Sequence, residues 1–600
     1  MIAIPPFENV GIVGDKPTVV AEITSLFTRP LRYLPVIDGP RMDRSDWGNE
    51  VIRRRNALAK AKSRCVVLAD LDLRSVQHLS GDGPAGMFIS VSSVDEAATA
   101  LKGWVKGPSK AMAWGSDNLG VGLLLARRSK KRLLTDLGVS PTINFVSSGT
   151  HLLIACEGGN ELAQVTASNL AFATDASFLV IPQLAEDERD EWLEEIYLLG
   201  SGDDVSGGFV AIRDRARGRL PESEFGKYKE LLFVTNGFPW GIAVPECATT
   251  HMFCYPDFGR CVVEGIWASH DLSHGARNAL LIHPQQVAGS EIEITAESLY
   301  ENKTLVRVQA GPQASVAKIH FLTETLPFDI IVISTHTGDV SGERVTYEFN
   351  DSEGLSRRLV IDHASGFGYD QKTDKVLVQQ FERFHELDGV KWTDRSAKES
   401  LYVGTAITSW VALGDVLERN KYKVASEKIQ RVIGSMALQM HDDLWFPMLH
   451  AFSPSCSPAI INNGCSSWHQ LSKRFAFAGA RAYVGALFPI TEAEAQEVGI
   501  SIFRKHLGVS LPTALWRSQT AVYGFQDRRP YAMVGLPFCS IPHNTTDSFT
   551  YLVNEYRKAI AAYGREAEES SFVELKETSR RYKDFLLDDF KAFQATVRQM

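Results

Sequence analysis

Apolar runs and amphipathic stretches alternate most regularly in the second half of the chain. ALLIHP (279–284), LVRVQAG (305–311) and DIIVIS (329–334) are short runs with buried-strand character. EIEITAESLYEN (291–302) and PQASVAKIHFLTE (312–324) between them carry helical periodicity. Near-continuous apolar runs separated by helices predict parallel strands covered on both faces, the start of a doubly wound sheet with right-handed crossovers. RVTYEFNDSEGLSRRLVID (344–362) predicts a hairpin, and residues 375–450 read as a helical insertion. The α/β pattern then resumes. Pro458–Asn463 is a strand, 466–478 a helix stopped by Gly479, and RAYVGALF (481–488) a strand. Helix 492–507 opens on the capping box of Thr491 and Glu494, and PTALWRSQTAVYG is a further helix. YAMVGLPF (531–538) is a last strand, and 548–600 gives two charged amphipathic helices.

The first half is less regular. Residues 1–45 are Pro-rich and read as an irregular segment wrapped on another domain. Residues 46–275 alternate helix and strand, including the strands CVVLADLDL, HLLIACEG and FLVIPQL and the acidic helix EDERDEWLEEIYLLG; GRCVVEGIW (259–267) also reads as a strand. The predicted organisation is therefore an N-terminal segment 1–45, an α/β domain 46–275, a second α/β domain 276–547 carrying the insertion 375–450, and C-terminal helices 548–600.

Composition narrows the class. The chain has 600 residues, 44% hydrophobic and 22% charged, as in soluble multidomain proteins. No apolar run is long enough to span a bilayer, and the N-terminus lacks a signal-peptide pattern. A net charge of −9 argues against direct DNA binding. Eight dispersed cysteines suit a reducing, cytoplasmic setting rather than a disulfide framework. Cys247, Cys254 and Cys261 lie near His251, His270 and His274, but no closely spaced pair marks a zinc site, so they read as buried strand cysteines and no metal or other cofactor is expected.

Two strand ends carry the chemistry. FDIIVISTHTGD places His336 just past one buried run, and SPAIINNGCSS places Cys465 just past another. If those strands are neighbours, thiol and imidazole meet at the carboxyl edge of the sheet, where open α/β folds keep their active sites. A helix starting directly behind Cys465 would favour the thiolate. His336 would shuttle the proton between thiol and leaving amine. The backbone N–H groups of Gly338 and Cys465 are the candidate oxyanion hole. Gly464, Ser466 and Ser467 leave room beside the nucleophile.

NNGCSSW, AGARAYVGALFPIT and YAMVGLPF, with FDIIVISTHTG upstream, resemble the CHAT branch of the caspase-like (clan CD) cysteine peptidases, and also separase. The likeness covers about residues 276–545 apart from the insertion. It implies a caspase-like sheet, Cys465 as nucleophile and His336 as its partner. Thr337 separates the histidine from Gly338, where the family has His-Gly. Relatives specific for Arg or Lys carry Asp two residues before the Cys, and this chain has Asn463. Separase-like relatives bind the P1 side chain with an acidic residue after the next strand, matched here by Glu492, with Glu494 beside it. The resemblance further implies protein substrates and a role in prokaryotic antiphage defence. Residues 46–275 would then be a sensor, or a degenerate caspase-like copy, binding a protein or a small cyclic nucleotide-type activator. The alternative is a catalytically silent caspase-like scaffold.

Overall fold

The computed structural model describes residues 2–599 apart from 44–46, 82–86, 137, 140–141, 200–204, 222–224, 255–256, 288, 371–374, 393, 395–403, 415, 448, 450, 525–527 and 571–572. It is a mixed α/β protein organised on one 11-stranded sheet. From one edge the strands run Leu305–Ala310, Asn278–His283, Ile330–Ile333, Ala459–Asn462, Ala482–Ala486 and Tyr531–Gly535. They continue through Ala248–Phe253, Glu230–Thr235, Leu152–Glu157 and Ser177–Ile181 to Phe145–Val146.

The first five strands are mutually parallel. Tyr531–Gly535 runs antiparallel to Ala482–Ala486 and parallel to Ala248–Phe253. The far half of the sheet, parallel within itself up to the antiparallel edge strand, therefore points the opposite way. Helices cover both faces, which is why strands such as Ile330–Ile333 and Ala459–Asn462 are buried at every position.

The predicted break near residue 275 does not divide this sheet, because strands from residues 145–253 pair into it directly. Residues 1–45 are not irregular. Val10–Gly14 and Val36–Ile37 form half of a separate four-stranded parallel sheet with Cys65–Ala69 and Met87–Val91. The prolines fall where they do no harm: Pro17 opens the helix Pro17–Ser25, and VGIVG between them is wholly buried. GRCVVEGIW is part of the helix Phe258–Asp271, so Cys261 is helical.

The insertion between His336 and Cys465 is mostly β rather than helical. Gly342–Asn350, the long hairpin Ser356–Asp370 and Lys375–Leu387, and Lys423–Ile429 build an antiparallel arm, with short helices Thr405–Ala412 and Val416–Asn420 against it. VLVQQFERFHEL fits both a helical and a strand period, and pairing with Ser356–Asp370 settles it as strand. The buried Trp410 packs at a tilt against Tyr347 and Phe349, giving the arm its own small core. Ser548–Glu569 and Val573–Gln599 form a helical hairpin joined to the sheet edge by Arg307, which pairs with Asp589 and donates to the Tyr556 hydroxyl at 2.7 Å.

Candidate functional site

The strands that lead to His336 and Cys465 are immediate neighbours. Ile330–Ile333 and Ala459–Asn462 pair in parallel, with Ile333 opposite Asn462. Each functional residue stands three positions beyond that pair, so both loops leave the same edge of the sheet side by side. The loops touch. The Thr337 hydroxyl donates to the Cys465 carbonyl. A Cβ at Gly464 would lie 2.8 Å from the Thr335 carbonyl oxygen and would overlap the Thr337 side chain. Only glycine permits this approach.

A polar network fixes the turn at Cys465. Asn462 Oδ1 accepts from the Gly464 N–H at 3.0 Å, and Asn462 Nδ2 donates to the Tyr483 hydroxyl at 2.9 Å. Tyr483 donates to the Ser467 carbonyl at 2.8 Å. The Ser467 hydroxyl donates to the Asn462 carbonyl and accepts from the Ala486 N–H. Asn462, Ser467 and Tyr483 are fully buried, so these bonds rigidify the turn. Ser466 takes φ 50°, the left-handed conformation that reverses the chain. The following helix begins at His469 rather than at 466. A turn thus separates Cys465 from the helix, and the expected helix-dipole effect does not act on it directly.

The His336 loop is held by other elements. His336 is exposed, and its carbonyl accepts from the Gln439 N–H at 2.9 Å. Thr337 and Gly338 pair antiparallel with Leu438 and Ala437 of the arm. Asp339 is clamped by the N–H groups of Gly434 and Met436 and by Arg431 Nε at 2.9 Å. Arg431 also pairs with Glu194 and lies 3.7 Å from the centre of the Tyr197 ring. The Tyr197 hydroxyl accepts from the Asp339 N–H at 2.8 Å. The acidic helix Glu186–Leu198, from the far half of the sheet, therefore braces the candidate histidine. Between that helix, the arm and the helix after Cys465 lies a cleft of about 700 Å³, with Trp468, His469 and Lys473 on its wall.

The Cys465 thiol is partly exposed and donates to the Ile490 carbonyl at 3.6 Å. The other cysteines are buried, apart from Cys261, which is half-buried. Burial pushes Cys247, Cys261 and Cys456 up to about 12, and Cys65 up to about 11. Among the described residues no three His, Cys, Asp or Glu side chains gather as a metal site. His251 is consumed otherwise: it accepts from the Gly241 N–H, contacts the Met533 carbonyl, and is pushed down to about 4 by burial.

Asn463 and Glu492 are not brought together. Glu492 is exposed in the first turn of the helix Glu492–Lys505, where a carboxylate favours the helix N-terminus. Glu494 closes the capping box with Thr491 and pairs with Arg528. Asn463 is buried, and its side-chain amide donates to Glu291. Glu291, which the sequence reading passed over, also accepts from Ser334 Oγ at 3.0 Å. Burial pushes its carboxyl up to about 7. Its signal in sequence is faint: one of two acids in the first turn of an amphipathic helix.

These features define an α/β protein with a thiol and an imidazole on adjoining loops at one sheet edge. No family model and no curated protein matches the chain. Among solved structures it is similar to Cwp6 from Clostridium difficile, at 10% identity over 58% of this chain and 62% of that one, with a TM-score of 0.22. No helix among the described residues is long and apolar enough to cross a membrane.

Proposed function

We propose that this chain is a cysteine endopeptidase of the caspase-like CHAT type, acting on protein substrates in the cytoplasm. The observation that carries the reading is the parallel register of Ile333 with Asn462, which sets His336 and Cys465 on touching loops. Cys465 Sγ attacks the scissile carbonyl while His336 takes the thiol proton and passes it to the leaving amine. Water then hydrolyses the thioester, and the thiol is restored. The N–H groups of Cys465 and Gly338 are the proposed donors to the developing oxyanion.

The thiol's contact with Ile490 supports a gated enzyme: that hydrogen bond must break before the sulfur serves the histidine. A protein or nucleotide-type signal would release it by binding the active arrangement more tightly. A bracing helix from residues 46–275 on the His336 loop gives such a signal a path to the site. Antiphage immunity is the setting in which such a gated protease fits.

The test is to express wild type and Cys465→Ala with candidate signals and to map new protein N-termini. The expected result is a set of cleavages present only with Cys465 and increased by one signal. Identical N-termini in both strains under every signal would overturn the reading. The same Ile490 contact favours a second reading, a catalytically silent scaffold, which predicts protein partners retained by Cys465→Ala.

A further inference from the structure

Ser334 and Asn463 are the first residues past the paired ends of the two site strands. The ladder closes with Ile333 opposite Asn462 and with the Asn463 N–H on the Ile333 carbonyl at 2.9 Å. Beyond it the chain leaves toward His336 on one strand and Cys465 on the other, two residues further on in each case. At this step one carboxyl group spans both. Glu291 accepts from Ser334 Oγ at 3.0 Å and from the Asn463 side-chain amide. It comes from a third element, the first turn of the helix Ser290–Glu301. Ser334, Glu291 and Asn463 are all buried.

Glu291 is closed in. The helix Glu492–Lys505 brings Gly499 against it, where a Cβ would lie 2.8 Å from Asn463 Nδ2 and 2.9 Å from Glu291 Oε1. No cation pairs with Glu291 among the described residues, so its burial is costly. An apolar side chain would pack there without that cost, but it could not hold two strand ends. On the far side the Thr337 hydroxyl donates to the Cys465 carbonyl. Residues 334–337 and 463–465 are therefore tied at both ends, by Glu291 at the sheet and by Thr337 at the loops. His336 and Cys465 both belong to the ring so formed.

We propose that Glu291 is a positioning residue of this enzyme, holding both strand ends with one carboxyl group and so setting the spacing of His336 and Cys465. The inference rests on the endopeptidase reading and adds a residue that acts through Ser334 and Asn463, not on the substrate. Its hydrogen bonds rather than its charge do this. Asn463 Oδ1 has no partner among the described residues. In Glu291→Gln the Asn463 amide can therefore turn over and accept from the new amide N–H, while the new amide oxygen still accepts from Ser334. Glu291→Ala breaks both ties, and Ser334→Ala or Asn463→Ala breaks one each.

Two readouts on the full-length protein test this. The first is kcat and KM on a reporter peptide taken from the Cys465-dependent cleavages, with the signal that raises them. Glu291→Ala should lower kcat about tenfold or more with KM little changed, and Glu291→Gln should stay within about threefold of wild type. The second is the pH midpoint of Cys465 alkylation by iodoacetamide, where the thiolate displaces iodide, followed by mass spectrometry. An imidazole beside the thiol holds that midpoint below the ordinary value of about 8.5. Glu291→Ala should move it up toward that of His336→Ala, and Glu291→Gln should not; a loss of stability alone leaves it in place. If Glu291→Ala fails to fold, Ser334→Ala and Asn463→Ala should show the same fall in kcat. Wild-type kcat and midpoint in the variants that break a tie overturn the positioning role and leave the protease reading intact, as does a Glu291→Gln as impaired as Glu291→Ala. A midpoint that Glu291→Ala still moves, in a protein that cleaves no peptide, upholds the spacing role and overturns the peptidase. Equal midpoints in wild type and His336→Ala overturn both.

Discussion

Thr337 gives its hydroxyl hydrogen to the backbone carbonyl of Cys465, so the residue after the candidate base is bonded to the candidate nucleophile itself. Thr337 occupies the position that interrupts the His-Gly pair of the resembled family. Here the extra residue is a strut between the two loops, and Gly464 gives it the space.

The strut predicts a particular pattern of loss. Thr337→Val keeps the shape and removes the donor, leaving a part-buried carbonyl unpaired, at about 1–3 kcal/mol. Because a small misplacement of reacting groups costs much of the rate, kcat should fall tenfold or more with KM little changed. Gly464→Ala forces the loops apart and should be the more severe of the two. Steady-state kinetics beside urea unfolding curves separate the effects. Thr337→Val at wild-type kcat would show that the strut is unused.

Arg431 supports a second prediction. It ties Asp339 of the His336 loop to Glu194 of the acidic helix, across elements that are distant along the chain. Arg431→Ala leaves the buried Asp339 with backbone donors only and should lower both stability and activity. A double-mutant cycle of Arg431→Ala with Glu194→Ala should return a coupling of about 0.5–3 kcal/mol. Additive losses would mean that the helix does not brace the loop.

The strands of the site were legible because buried parallel strands are short apolar runs, and DIIVIS and PAIIN have no other reading once helices flank them. The capping box at Thr491 and Glu494 was legible for the same local reason: its partners are three residues apart. The arm was not. Its strands alternate imperfectly, and their identity is fixed by cross-strand partners such as Ile361 with Phe384, which no local window contains. The continuity of the sheet past residue 275 depends on one strand, Tyr531–Gly535, joining halves that are far apart in sequence. Glu291 stayed hidden because its meaning comes from Ser334 and Asn463, 43 and 172 residues away.

Glu291 also makes a prediction that is independent of catalysis. Its carboxyl is raised by burial from an ordinary 4.5 to about 7, because the charged form is desolvated and only the Asn463 amide and the Ser334 hydroxyl offset that. A raised acid holds its proton in the folded state where the unfolded chain has released it. Its contribution is therefore intact below about pH 4.5 and is lost as pH climbs to about 7, after which the penalty is constant, on the order of 3 kcal/mol. Glu291→Gln cannot ionise and lacks this slope. Urea unfolding at pH 5, 7 and 8.5 should show the variant gaining on wild type between the first two and holding that gain at the third. Parallel pH curves for the two proteins would mean that Glu291 titrates like an exposed acid, and the burial that gives it meaning would be wrong.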